Sequence, residues 1–228
     1  MINKIGSSMA EVVSVVRDGD VVMIGGFGSS GIPLELIEAL RRHGPKDLTI
    51  ISNNAGVAEE GIASLLRDGL VRRMVCSFPR SKGSVWLQKR YKEGAIELEL
   101  VPQGTLGERI RAAGAGLAAF YTPTAYGTLL AEGKETREFK GRGHVLETAL
   151  HADVALIRGE KGDAWGNLTY NTAGRNFNPS MATAARTTIA EVKQIVEVGD
   201  LDPEAVVTPG IFVDSVVLQE GLLDAIAQ

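Results

Sequence analysis

The sequence predicts an α/β fold: an open, mainly parallel sheet with helices on both faces. Short runs of consecutive apolar residues, such as Val21–Ile24, recur in the first half of the chain and are typical of strands buried on both faces. Amphipathic segments that end at a glycine separate these runs, and the connections are short. Successive strand–helix units joined by short loops indicate a parallel sheet that is covered by helices.

Local signals place the elements of the first half. Ser8 and Glu11 form a capping box that begins a helix to about residue 17. Pro33 stands at the first position of a helix predicted through residue 40 and stopped at Gly44, and Thr105 caps a further helix. We also expect helices at residues 60–68 and 84–93, and strands at residues 21–24, 48–52, 71–77 and 96–101.

The second half of the chain is less regular. Residues 137–139 and 144–146 flank a polar, glycine-containing turn and predict a β-hairpin that departs from the main sheet. An apolar run predicts a strand at residues 154–157, and later strands are expected at residues 188–192, 194–198 and 211–218. No linker, repeat or change in composition divides the chain, so we expect one domain over residues 1–228.

Composition excludes several classes of protein. The 228 residues carry 24 Lys and Arg against 28 Asp and Glu, a net charge of −4, which argues against nucleic acid as a partner. No apolar run reaches the roughly 18 residues that span a bilayer, and the first residues do not form a signal peptide. A lone cysteine, Cys76, gives neither a disulfide framework nor a thiolate metal site. We expect a cytoplasmic protein that binds no metal and does not associate with a membrane.

A glycine-rich loop follows the first predicted strand. It comprises Gly25, Gly26, Phe27, Gly28, Ser29, Ser30 and Gly31, and from residue 26 it matches the G-x-G-x-x-G pattern of dinucleotide sites. Such sites also need an acidic residue after the second strand, where this chain has Ser52 to Ala55, so a nicotinamide cofactor is disfavoured. The loop and the N–H groups of the following helix predict a pocket for a phosphate, a carboxylate or an oxyanion. The alternative is that the glycines only allow tight packing.

Polar residues also follow the other predicted strands. Asn53 and Asn54 come after the second strand, Ser77 to Arg80 after the third, and Gln103 after the fourth. Ligands of open α/β sheets bind at the carboxyl ends of the strands, so these side chains are candidate ligand contacts. Uncharged amides beside a glycine loop suit hydrogen bonding to carbonyl and carboxylate groups more than proton transfer.

The sequence offers no nucleophile in a known catalytic setting. The motifs of serine hydrolases, zinc proteases, P-loop enzymes and Cys-x-x-Cys oxidoreductases are all missing. His43 and His151 have the settings of structural residues, Cys76 lies in an apolar strand and is expected to be inert, and Arg175 either binds an anion or caps a helix. The chain therefore offers a binding pocket without a nucleophile, which is unusual for an enzyme unless another chain completes the site.

Several long motifs resemble the A subunit of the 3-oxoacid CoA-transferases. The similarity covers nearly the whole chain and is carried by residues 18–33, 52–56, 101–104, 108–112, 126–128, 132–138, 166–170, 175–177 and 208–213. The resemblance implies the open CoA-transferase fold, which is similar to the NagB and RpiA folds. It also implies a B subunit as partner in a hetero-oligomer, with the catalytic glutamate on that subunit and no catalytic residue in this chain.

The same resemblance implies a ping-pong reaction through an acyl anhydride and a glutamyl-CoA thioester. Coenzyme A then acts as a thioester substrate, and no permanently bound cofactor is expected. The segment Gly25–Gly31 would bind CoA, and Asn53, Asn54 and Gln103 would contact the acyl group. The stretch Cys76–Arg80 is most similar to members that transfer CoA from succinyl-CoA to 3-oxoadipate, with acetoacetate as the alternative acceptor.

Arg80 carries a separate hypothesis about specificity. Succinate and 3-oxoadipate each retain a second carboxylate, which a guanidinium binds well. Arg80 follows the third predicted strand at the ligand-binding edge and would hold this carboxylate. The alternative is that Arg80 is an ordinary surface arginine.

Overall fold

The computed structural model describes residues 2–56, 58–80 and 83–221. The strands in chain order are β1 (Val21–Ile24), β2 (Leu48–Ile51), β3 (Val71–Cys76), β4 (Glu97–Leu100), β5 (Ala119–Thr122), β6 (Thr136–Phe139), β7 (Arg142–Thr148), β8 (Ala152–Asp163), β9 (Leu168–Thr169), β10 (Ala185–Val196) and β11 (Ser215–Leu218). The α-helices are α1 (Met9–Val13), α2 (Leu34–His43), α3 (Ile62–Arg67), α4 (Trp86–Lys92), α5 (Gln103–Gly114) and α6 (Asn178–Ala184).

Two sheets organise these elements. The larger sheet has the order β11-β10-β8-β1-β2-β3-β4, with every neighbouring pair parallel, and β9 adds to β8 in the antiparallel direction. The smaller sheet, β5-β7-β6, is antiparallel and contains the hairpin expected from the sequence. The predicted fold class, a mainly parallel sheet with a hairpin excursion, is thus confirmed.

Helices cover both faces of the large sheet. Successive side chains of a strand point to opposite faces, so each strand contributes to two different cores. On β1, Val22 and Ile24 pack into a core with helices α1 to α4, whereas Met23 faces the second core. On β3, Met74 and Val75 divide in the same way. The second core includes apolar residues of α5 and α6. Burial on both sides explains why these strands are continuous apolar runs.

The structure corrects several predicted boundaries. The strands expected at residues 188–192 and 194–198 form one strand, β10, and the strand expected from residue 211 begins at Ser215 after a 3-10 turn. Helix α5 begins at Gln103 after Pro102, not at Thr105, whose side chain is buried inside the first turn. Helix α1 ends at Val13, where Ser14 closes it on Glu11. The sequence pattern did not predict β5, which pairs with the distant strand β7, or the short helix α6.

A buried ionic network joins the small sheet to α5 and β4. Arg109 donates from Nη1 to Glu99 Oε1 at 2.7 Å and from Nε to the Thr148 carbonyl at 2.7 Å. Lys134 donates to Glu147 on β7 at 2.7 Å, and Glu147 lies 3.8 Å from Arg109. Burial raises the Glu99 pKa, but the hydrogen bonds and charges of Arg109 and Arg73 together outweigh it and hold the pKa below its usual value.

Candidate functional site

The predicted site residues follow four adjacent strands of the large sheet. The glycine loop, Gly25–Gly31, leaves β1, and Asn53 and Asn54 leave β2. Arg80 follows β3, and Gln103 begins α5 after β4. Because β1 to β4 are neighbours and parallel, their carboxyl ends lie along one edge of the sheet, which is the usual ligand edge of this architecture.

The glycine loop forms a tight turn at its tip. The Phe27 and Ser30 backbones exchange two hydrogen bonds of 3.0 Å, with Gly28 and Ser29 between them. Gly28 has a φ of +61°, which favours glycine, and a β-carbon there would meet no atom within 4 Å. Residues 27–29 are exposed, and the described structure shows no hydrogen bond from the N–H groups of Gly28 and Ser29. These two groups can therefore donate to a ligand.

Two asparagines fix the shape of this loop from behind. Asn176 accepts a hydrogen bond from the Gly26 N–H at 3.1 Å and donates to the Ser30 carbonyl at 3.1 Å. Asn178, fully buried, donates to the Gly31 carbonyl at 3.0 Å. A glycine-rich loop makes few side-chain contacts of its own, so the hydrogen bonds from these two amides define its conformation. The Gly25 and Gly31 backbones pack against this support, as the tight-packing alternative requires.

The two asparagines that follow β2 are buried and bonded to the protein. Asn53 accepts a hydrogen bond from Ser77 Oγ at 3.0 Å and so joins the segments after β2 and β3. Asn54 Oδ1 accepts from the Gly56 N–H at 2.9 Å, while Asn54 Nδ2 lies 3.5 Å from the Gly28 carbonyl. Asn54 therefore contacts the tip of the glycine loop, whereas Asn53 connects the segments that follow β2 and β3.

A cavity of about 270 Å³ lies between the glycine loop and the segment that precedes α3. Of the predicted site residues, Gly25, Gly26, Ser29 and Asn54 line it, and Glu60 adds a carboxylate. The remaining walls are Ile32, Leu34, Ser52, Gly56, Ala58, Gly61 and Ile62. This mixture of apolar surface with a few hydrogen-bonding groups is typical of small-molecule sites.

A second cavity, of about 220 Å³, lies on the other side of the glycine loop. Ser30 and Gly31 line it together with Arg158, Tyr170 and Lys193. Lys193 is 3.8 Å from Glu160, another lining residue, so the charges of this cavity are partly compensated. Residues of the glycine loop thus line both cavities.

The other predicted contacts lie outside both cavities. Gln103 and Arg80 are exposed and line neither one, although both follow strands at the same edge. Phe27 is 47 % exposed and, with Gly28, projects at the loop tip. Arg175 follows the 3-10 turn Thr172–Gly174 and closes it with its backbone N–H. The side chain of Arg175 is exposed.

The start of α2 does not provide the anion pocket that the sequence predicts. The N–H groups of Glu35 and Leu36 donate at 3.1 and 3.0 Å to one carboxylate oxygen of Glu191, which extends from β10. A buried helix terminus needs partners for its N–H groups, and this chain supplies the carboxyl group of Glu191. Burial raises the pKa of Glu191 to about 8. The N–H groups at the loop tip, not those of the helix, remain available.

Two residues that the sequence analysis did not single out, Asn178 and Glu191, support the site. Glu191 stands between Ala190 and Val192, and an acid in a buried strand needs a partner, but the sequence does not indicate which group that partner is. Asn178 follows the Arg-Asn-Phe stretch and is separated from the glycine loop by about 150 residues, so only the fold could reveal its role. Burial raises the pKa of Cys76 to about 12, as expected for an inert thiol.

Comparison with known proteins gives the family. A family model for coenzyme A transferases matches residues 7–219. The chain belongs to the coenzyme A transferase family. This finding confirms the resemblance seen in the sequence. A CoA-transferase uses a CoA thioester as its substrate.

Individual relatives extend over almost the whole chain. The chain is 60 % identical to the A subunit of 3-oxoadipate CoA-transferase from Pseudomonas putida, over 97 % of this chain and 96 % of that protein. It is 52 % identical to the A subunit of succinyl-CoA:3-ketoacid coenzyme A transferase from Xanthomonas campestris pv. campestris, over 92 % and 86 % respectively.

A solved structure shows the same fold. It is an acyl-CoA transferase from Escherichia coli O157:H7 in a thioester complex with CoA, with a TM-score of 0.83 and 24 % identity. The match covers 95 % of this chain and 47 % of that one.

Two further findings concern the described residues only. No helix among them has the length and apolar character needed to cross a membrane. No group of three or more His, Cys, Asp or Glu side chains in the same residues could hold a metal ion.

Proposed function

We propose that this chain is the A subunit of a two-subunit enzyme that transfers CoA from succinyl-CoA to 3-oxoadipate. The observation that carries this proposal is the 60 % identity to the A subunit of a 3-oxoadipate CoA-transferase over 97 % of the chain. A second acceptor class, other 3-keto acids such as acetoacetate, is favoured by the 52 % identity to the corresponding chain of a succinyl-CoA:3-ketoacid transferase.

The reaction needs a carboxylate nucleophile, which we place on a glutamate of the partner chain. That carboxylate attacks the thioester carbonyl of succinyl-CoA, and CoA leaves as a thiolate while an acyl anhydride forms. The thiolate then attacks the enzyme carbonyl of the anhydride and releases succinate, which leaves CoA on the glutamate. The two steps run in reverse with 3-oxoadipate and yield 3-oxoadipyl-CoA and free enzyme.

The contribution of this chain is to bind and polarise the acyl group. The N–H groups of Gly28 and Ser29 belong to an exposed turn beside the first cavity and would donate to the oxygen that becomes negative during attack. Asn54 lies against the Gly28 carbonyl and would keep the tip in place. Gln103, exposed after β4, would contact the acyl group once the partner closes the site.

The test is a thioester assay on this chain alone, the partner alone and the two together, with 3-oxoadipate and acetoacetate as acceptors. We expect activity only from the mixture, with 3-oxoadipate preferred. Gln103→Ala should reduce kcat/KM by roughly 10-fold, because one hydrogen bond to the acyl group is lost. Gln88→Ala, which removes another exposed glutamine on α4, should leave it unchanged. CoA transfer by this chain alone would refute the assignment of the nucleophile to the partner chain.

A further inference from the structure

Arg158 and Glu191 face each other in the centre of the large sheet. They are register partners on the parallel strands β8 and β10. Glu191 is fully buried, the Arg158 side chain is 13 % exposed, and Arg158 Nε lies 3.9 Å from Glu191 Oε1. A carboxyl group and a guanidinium thus lie side by side on two paired strands of the sheet.

Both side chains reach the segment that joins the glycine loop to α2. Glu191 Oε2 accepts from the N–H groups of Glu35 and Leu36, and Arg158 Nη1 donates to the Ile32 carbonyl at 3.3 Å. Glu191 therefore bonds the donors of this segment, and Arg158 bonds its acceptor. The Arg158 backbone N–H is itself bonded to Asn178 at 3.1 Å, so the same cluster also touches the support of the loop.

The surroundings of this pair leave Glu191 incompletely hydrogen-bonded within the described residues. Glu191 Oε1 has no hydrogen-bond partner within the described structure. From α2, the Glu35 carboxylate faces Glu191 and adds a like charge. Directly after β11, the neutral Gln219 accepts a hydrogen bond from Arg158 Nη2 at 3.0 Å. Buried ion pairs rarely stabilise more than apolar residues of the same volume, whereas they can specify one conformation.

We propose that Arg158 and Glu191 are positioning residues that fix the junction at residues 32–36 and thereby hold the glycine loop in its binding conformation. The junction begins directly after Gly31, and the loop has few side chains of its own to resist displacement. The consequence for catalysis rests on the proposed function, whereas the consequence for the loop does not.

Hydrogen–deuterium exchange and kinetics test the proposal together. Glu191→Leu keeps the volume but removes the acceptor, and exchange of peptides within residues 25–36 should rise at least ~10-fold, while peptides of the small sheet stay unchanged. Glu191→Gln keeps an acceptor oxygen and should restore most of the protection. With the partner present, Glu191→Leu should lower kcat/KM and Glu191→Gln should recover it.

Control variants separate positioning from general stability. Glu147→Gln alters an equally buried, ion-paired carboxylate on β7 and should lower the melting temperature without a specific change at residues 25–36. If Glu191→Leu does not fold, Arg158→Lys replaces it in the test. Lysine keeps the positive charge but lacks the several N–H donors of the guanidinium, so exchange at the loop should again rise. Uniform exchange changes, or no loop effect in any of these variants, would overturn the proposal. If the exchange effects occur as expected but the unsubstituted chain shows no transfer activity with its partner, the result counts against the proposed function and not against the role of Arg158 and Glu191.

Discussion

The side-chain amide of Asn178 occupies the space where a β-carbon on residue 25 would lie. A β-carbon built on Gly25 meets the Oδ1, Cγ and Nδ2 atoms of Asn178 as its nearest neighbours. Asn178 uses the same amide to donate to the Gly31 and Gly174 carbonyls and to accept from the Arg158 N–H. The absence of a side chain at residue 25 and the amide at residue 178 are therefore parts of one arrangement.

This relationship predicts a coupling that a double-mutant cycle can measure. Gly25→Ala should cost about 1–3 kcal/mol by overpacking. Asn178→Ala should cost about 1–3 kcal/mol because it leaves buried backbone groups without partners. In the Asn178→Ala background, Gly25→Ala should cost much less, because the clashing amide is gone. Urea unfolding of the four proteins measures the coupling, and additive costs would contradict the contact.

Glu191 predicts a dependence of stability on pH. Burial raises its pKa from 4.5 to about 8, so between these values the native state holds a proton that the unfolded state has released. The contribution of Glu191 to the free energy of unfolding should therefore be highest below pH 4.5 and should fall as the pH rises to about 8. Urea unfolding at several pH values, compared with Glu191→Gln, isolates this contribution. Equal slopes for both proteins would show that folding does not raise the pKa of Glu191.

Cys76 should resist alkylation in the folded protein. Its thiol is buried on β3, and burial raises its pKa to about 12, so almost no thiolate exists at neutral pH. Iodoacetamide at mildly alkaline pH should label the chain only after denaturation, and mass spectrometry can follow the label. Rapid labelling of the native chain would mean that β3 opens or that the thiol is exposed.

Arg80 should affect acceptors with a second carboxylate more than those without one. The side chain is exposed beyond β3, at the same edge as the first cavity. Arg80→Ala should raise KM for 3-oxoadipate about 10-fold or more through loss of a charge-assisted contact, with little change for acetoacetate. Arg72→Ala, an exposed arginine paired with Glu97 within the sheet, is the matched control. Equal losses for both acceptors would eliminate this role.

Much of the fold was predictable, because local signals and burial agree in the βα units. Apolar runs such as Val21–Ile24 are buried on both faces, and glycines such as Gly44 end helices in the left-handed conformation. The extent of β10 was not predictable, because Lys193 and Gln194 break its apolar pattern while pairing with β8 continues. Strand β5 likewise depends on distant pairing with β7 and has no strong local signal.

The site was predictable in location but not in detail. The glycine loop and Asn54 meet beside one cavity, as the strand-end rule predicts. The use of the α2 N-terminus by Glu191 depends on a contact across 155 residues of sequence, and no local pattern encodes it. The roles of Asn176 and Asn178 were hidden for the same reason. That the chain forms one domain stays a prediction.

The most direct test of the central claim is to find which chain carries CoA during the reaction. This chain and its partner are mixed with succinyl-CoA without an acceptor, and the intact mass of each chain is measured. We expect a CoA adduct on the partner and none on this chain, including in the Glu60→Gln variant, which removes the carboxylate that lines the first cavity. An adduct on this chain that disappears in Glu60→Gln would place the nucleophile here and contradict its assignment to the partner.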